Sequence, residues 1–192
     1  MPQLILVRHG QTAANAAGLL QGHRDLPLND VGRAQATALA RVLAPVVAQG
    51  ARVVCSPLRR AWETASTVAS EVFVDPAWIE MDYGTLDGAS PGDIGADVWR
   101  RWRADEHFAP AGGESHHRLH GRVFEACVRA AEQATDIIVV SHVSPIKAAV
   151  AWALGAAPHV VWRMHLDQAS ITRIRFTEDG GVLLGFNNTS HL

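Results

Sequence analysis

Only two of the 192 residues are cysteine, Cys55 and Cys127, and each sits among apolar neighbours. A chain this long with two such thiols has no disulfide framework, and nothing about them suggests a metal site, so a reduced compartment is expected. No apolar run is long enough to cross a bilayer. A basic excess is also missing: 17 Lys and Arg stand against 19 Asp and Glu, and the formal charge of −2 argues against nucleic acid as a partner. Internal repeats, low-complexity tracts and linkers are absent. The first apolar run is short, lacks a basic leader and ends in residues with chemical character, so it does not read as a cleaved signal. These absences point to a cytoplasmic chain free of the membrane. Its hydrophobic share of 48% suffices for the core of one domain over residues 1–192.

What is present is a set of short apolar runs, each delivering polar residues at its end. Leu4, Ile5, Leu6 and Val7 run into Arg8, His9 and Gly10. Residues 52–55 run into Ser56, Pro57, Leu58, Arg59 and Arg60; residues 71–75 lead to Glu80; residues 136–140 run into Ser141 and His142. Such runs predict buried strands. Between them Ala34, Ala38, Leu39, Val42 and Leu43 recur at helical spacing, with Asn29 or Asp30 as cap and a stop near Pro45. Residues 11–18 form a short alanine-rich helix candidate closed by Gly18. Ser56 with Pro57, and Ser144 with Pro145, each read as cap and first helical residue, and Ser115 caps another helix. A further helix is expected from near Pro91 or Asp93. Residues 170–176 and 182–186 around Gly180 and Gly181 read as a closing hairpin. Strands alternating with helices predict an α/β fold with a mainly parallel sheet. In such sheets ligands gather beyond the carboxyl ends of the strands, where Arg8, His9 and His142 fall.

Several residues admit two readings. Asn15 is either a solvated helix residue or a group turned back toward His9. Arg59 and Arg60 are solvated arginines or part of an anion site at a helix start. Among the acids, Asp82 and Asp87 compete with Glu80, and an exposed loop carboxylate is the plain alternative. The Trp- and Arg-rich segment 99–108 is a packed helix or part of a substrate lid. His116, His117 and His120 include an i, i+4 pair, yet with no third ligand beside them a solvated face, or one histidine at a pocket mouth, is favoured over a metal site. Ser141 and His142 cannot be a nucleophile–base pair, because neighbours on a strand point to opposite faces.

Taken together, Arg8-His9-Gly10, the pattern Ser-x-Leu-x-Arg-Ala-x-x-Thr-Ala from Ser56 to Ala65, Glu80 four residues before Gly84 and eight before Gly88, Gly112-Gly113-Glu114-Ser115, and Ser141-His142 resemble the motifs of the histidine phosphatase superfamily, also called phosphoglycerate mutase-like. The resemblance runs through nearly the whole chain. It implies a three-layer α/β/α fold with a mainly parallel central sheet. It implies that His9 takes up a phosphoryl group, that Arg8, Arg60, His142 and Asn15 hold the phosphate, and that Glu80 is the general acid and base. No metal or other cofactor is implied. The partner is a small phosphorylated metabolite, residues 89–121 are the expected substrate lid, and a homodimer is left open. The connection from Gly88 to Glu114 is short and carries Gly-Gly-Glu-Ser, which favours a phosphatase over a phosphoglycerate mutase-type phosphotransferase. A non-catalytic phospho-ligand binding module is disfavoured because His9 and Glu80 are both present. Val143 stands where the family usually has glycine, which touches substrate choice more than chemistry.

Overall fold

The apolar runs become the inner strands of one sheet. The computed structural model describes residues 1–178 and 180–192. Strands β1 (Gln3–Arg8), β2 (Arg52–Cys55), β3 (Phe73–Val74), β4 (Ile137–Ser141), β5 (Ile171–Thr177) and β6 (Gly180–Asn188) lie in the order β3-β2-β4-β1-β5-β6. The first four are mutually parallel, and β5 and β6 continue the sheet antiparallel. The expected mainly parallel sheet is therefore present, with the C-terminal hairpin as its antiparallel flank.

Among the described residues six α-helices accompany it: α1 (Ala13–Ala16), α2 (Asp30–Ala48), α3 (Arg59–Val68), α4 (Ala96–Ala104), α5 (His116–Ala131) and α6 (Val143–Ala153). On one face α2 and α3 bury Leu39, Leu43, Ala61 and Ala65 against Ile5, Val7, Val53 and Val140. On the other, α5 and α6 set Leu119, Val123, Ile146 and Ala149 against Leu4, Leu6, Val139 and Ile174. Successive strand residues alternate between these two cores, so β1 and β4 must be apolar on both sides, as parallel strands covered by helices are. Each such fully buried side chain contributes about 1.5–3 kcal/mol relative to exposure. Among the described residues no helix is long and apolar enough to cross a membrane.

Four local expectations are corrected. Helix α2 does not stop near Pro45 but runs through it to Ala48. The bond that proline forfeits lies on the solvent side, where water can serve the freed carbonyl, while Leu43, Val46 and Val47 remain packed on the sheet. Helix α3 begins at Arg59 with Leu58 as its uncapped boundary. Ser56 and Pro57 instead form the bend before it, and Ser56 Oγ accepts from Leu58 N at 3.3 Å. Helix α6 begins at Val143, with His142 rather than Ser144 at its cap position. The third strand contracts to Phe73–Val74: it pairs only with β2, and Asp75 leaves the sheet to accept from Ala77 N at 2.8 Å and cap a short 3-10 helix, Pro76–Trp78.

Candidate active site

Parallel register brings the polar strand ends together. Arg8 is level with Ser141, His9 N donates to Ser141 O at 3.0 Å, and Ser56 N donates to Val140 O at 3.0 Å. Three neighbouring strands thus deliver His9, His142 and Ser56 to one edge of the sheet. Gly10 makes the turn after His9 feasible: a Cβ there would lie 2.4 Å from Gly32 O, at the first turn of α2. Gly10 N donates to Thr64 Oγ1 at 3.1 Å, and that hydroxyl donates to Arg60 O at 2.8 Å, so α3 fixes the same loop.

The hydrogen bonds define the state of both histidines. His9 Nδ1 lies 2.7 Å from Gly10 O; a carbonyl only accepts, so Nδ1 carries the proton and Nε2 keeps its lone pair. Arg60 Nε, at 3.2 Å, points its N–H at that lone pair and equally at Nδ1 of His142. His142 then carries its proton on Nε2, 2.7 Å from Ser56 Oγ. Both rings are buried, with centroids 5.0 Å apart. Burial, reinforced by the Arg60 and Arg8 charges, holds His9 and His142 well below the ordinary imidazole range. His9 Nε2 is therefore a neutral, oriented nitrogen among cations.

The two arginines are oriented differently from one another. Arg60 is completely buried and turns its terminal nitrogens away: one donates to Arg24 O at 3.0 Å, the other to Gly22 O at 2.8 Å. The 20–24 loop therefore holds the guanidinium, and Nε is what faces the histidines. Arg8 donates one terminal nitrogen to Leu166 O at 2.6 Å, while its Nε is buried without a partner among the described residues. An orphaned buried cationic N–H is a ready anion donor. Burial lowers the Arg8 pKa to about 10, opposed chiefly by Glu80, and the group stays charged at neutral pH. Arg59, by contrast, is exposed and pairs with Glu63 at 2.6 Å.

Glu80 is buried at 3% exposure in the segment after the Pro76–Trp78 turn. Its Oε1 accepts from Met81 N at 2.7 Å and from Ser144 N, in the first turn of α6, at 3.2 Å. Oε2 forms no hydrogen bond among the described residues. The backbone here is clamped by Arg122, which forms a two-pronged pair with Glu114 at 2.8 Å and donates to Ala77 O at 2.8 Å and Glu80 O at 3.3 Å. The Gly-Gly-Glu-Ser segment thus has a role: Glu114 anchors Arg122, and Gly113 passes so close that a Cβ would meet Asp82 O at 2.6 Å. The competing acids hold loops. Asp87 accepts from Gly22 N and Arg24 N at 2.9 Å each, and Asp82 accepts from Gly84 N at 2.8 Å.

Asn15 completes a capping box with Thr12, its Oδ1 accepting from Thr12 N at 3.1 Å. Of the helical histidines, His116 is buried at 7% exposure and lines an apolar cavity, as a pocket-mouth residue would, so the solvated-face reading does not hold for it. His117 faces solvent beside Glu106 and His107, with one ligand-type atom of each within 4.8 Å of the others; all three are exposed. Ser141 Oγ donates to Trp78 O at 2.7 Å, away from His142. Sequence patterns alone assign no site role to Tyr83, Ser144, Lys147 or Arg122. Tyr83 and Arg122 carry no local motif; Ser144 and Lys147 were visible only as a helix start after His142.

This geometry has known counterparts. Residues 4–189 match the histidine phosphatase superfamily (branch 1), and the chain belongs to that family. A phosphoserine phosphatase 1 of Hydrogenobacter thermophilus is 33% identical, the match covering 100% of this chain and 95% of that one. A bifunctional protein of Mycobacterium tuberculosis is 38% identical over 99% of this chain, but the match takes in only 55% of that protein, so the chain spans about half the length of such relatives. Among solved structures, a phosphoserine phosphatase of Entamoeba histolytica in complex with phosphoserine superposes with a TM-score of 0.92 at 27% identity, each chain covered to 100%.

Proposed function

We propose that this chain is a phosphatase that hydrolyses small phosphomonoesters through a phosphohistidine on His9. The observation that carries the reading is the state of His9: neutral, its lone pair on Nε2, that atom held by Arg60 and close to Arg8. A phosphate dianion is the complement of this cluster, and phosphoryl transfer needs little beyond positioning and charge stabilisation. Arg8 Nε, Arg60 Nε and Asn15 hold the equatorial oxygens. With the anion present His142 takes a proton and donates from Nδ1. His9 Nε2 attacks phosphorus, the bond to the leaving oxygen breaks, and protonated Glu80 delivers its proton to that oxygen from Oε2. The Glu80 carboxylate then takes a proton from water. The resulting hydroxide attacks phosphorus, the P–N bond breaks, and phosphate departs with His9 restored.

Relatives named as phosphoserine, glucosyl-3-phosphoglycerate and adenosylcobalamin/α-ribazole phosphatases support hydrolysis over mutase chemistry, as does the short segment between Gly88 and Glu114. We take residues 1–192 as one catalytic domain and 89–121 as its substrate lid. Replacing His9 with Ala should abolish turnover, and acid-labile phosphate from a quenched reaction should map to His9 alone. Glu80→Gln should slow poor leaving groups most. Label on another residue, or 2- and 3-phosphoglycerate interconverting without phosphate release, would overturn the assignment.

A further inference from the structure

A cavity of about 180 Å³ opens beside Glu80. Trp99, Trp102, Trp162, Tyr83 and Met81 line it, and Lys147 joins them from α6. Its position follows from the acid. Met81 and Ser144, which line the cavity, are the two residues whose backbone N–H groups hold Glu80 Oε1. In an in-line displacement the leaving group departs on the side opposite His9, and it must stay within reach of the proton donor. The alcohol portion of the ester therefore belongs in this cavity.

Its walls describe that alcohol. Trp99 and Trp102 stack at 5.6 Å, and Trp102 meets Tyr83 edge-on at 5.7 Å and Trp162 at 5.9 Å, giving flat faces already fixed in place. Tyr83 OH and Ser144 Oγ are bonded to each other at 3.2 Å. The unengaged polar groups are mostly donors: the indole N–H of Trp102, one N–H of His116, and the Lys147 ammonium. Lys147 is the only lysine in the chain, is half-buried, and forms no ion pair among the described residues. A hydroxyl-rich alcohol would lose water against the indoles and find few acceptors, one His116 nitrogen and the Tyr83 and Ser144 hydroxyls. A flat ring would cover them, and an acceptor-only anion would answer the donors. The volume is below the roughly 300–1,000 Å³ of sites for drug-sized ligands, which suits a single ring.

We propose that this cavity selects phosphomonoesters whose alcohol is a single flat, apolar ring bearing a carboxylate, the ring lying among the tryptophans and the carboxylate on Lys147. The inference rests on the phosphatase reading above, and its test separates the two. A hydrogen-bonded charge pair out of bulk water favours the charged ligand by about tenfold or more. The native protein should therefore hydrolyse 3-carboxyphenyl phosphate with a kcat/KM at least tenfold above phenyl phosphate, and above phosphoserine or glycerol phosphate. Lys147→Gln should bring the carboxyphenyl-to-phenyl ratio close to one, and Lys147→Arg should restore part of it. The ratio is the readout because Lys147 also lies in the field of Glu80, and any effect on proton transfer cancels between the two esters. Independently of variants, 3-hydroxybenzoate should quench tryptophan fluorescence at concentrations at least tenfold below phenol. A native ratio near one, a ratio unmoved in Lys147→Gln, or a preference for phosphoserine or a sugar phosphate would overturn the proposal. Failure to hydrolyse any ester, with no phosphohistidine formed, would instead overturn the phosphatase reading, and the fluorescence comparison would still decide the cavity.

Discussion

At His9, burial and two guanidinium groups act in the same direction. Each disfavours the imidazolium, so the ring stays neutral in acid where an ordinary histidine is protonated, as the proposed nucleophile must. His142 shares that environment. The ring resonances of both residues should therefore stay constant in an NMR titration from pH 8 to pH 6 in the absence of phosphate, and a midpoint near 6.5 for either would contradict the geometry. Ser56 is the partner of the His142 Nε2–H. Removing it in Ser56→Ala leaves a buried donor unpaired and should lower stability by about 1–3 kcal/mol, measured by urea unfolding. Arg8, His9, Arg60 and His142 were legible as candidates because each follows a strand or helix signal in a motif. The direction in which Arg60 points was not, since its partners are backbone carbonyls of the 20–24 loop, which no side-chain pattern announces.

Among the elements, α2 approaches the backbone of the His9 loop very closely. A Cβ on Gly32 would stand 2.1 Å from Gln11 O, which is backbone and cannot swing aside. Gly32→Ala should destabilise by about 1–3 kcal/mol and lower kcat as well, because the displaced loop carries His9, the proposed nucleophile. Thermal unfolding beside turnover of 4-nitrophenyl phosphate would check both. Val143 poses the opposite case. It opens α6 in helical conformation and so needs no glycine; Val143→Gly should cost no more than about 1 kcal/mol while enlarging the cavity it lines. Helix boundaries were misjudged at Pro45, Pro57 and Pro145 for one reason. Local proline and serine signals describe what an isolated segment prefers, whereas packing on the sheet decides where each helix begins and ends.

For the whole molecule, the enclosed histidines make the fold sensitive to acid. His9, His142 and His116 all resist protonation when folded, and His116 is pushed down to about 4 mainly by burial. The unfolded chain takes up these protons from about pH 6.5 downward and the native state does not, so stability falls as pH drops through that window and is flat above it. His116 alone accounts for a loss on the order of 2 kcal/mol at pH 5. The urea midpoint should be constant from pH 7 to pH 8 and clearly lower at pH 5, and His116→Phe should reduce that difference.

By itself the sequence determined the alternation of strand and helix, the apolar character of β1 and β4 on both faces, and which polar residues follow each strand. Those are local properties, set by side-chain periodicity and by the residues that end a run. Only the tertiary structure decided that Oε1 of Glu80 is held by the first turn of α6, that Arg122 and Glu114 clamp the segment carrying it, and that three tryptophans and Lys147 enclose the space beside it. These are contacts between segments far apart in the chain. They depend on strand order and register, because a parallel sheet gathers its strand ends at one edge whatever their separation in sequence.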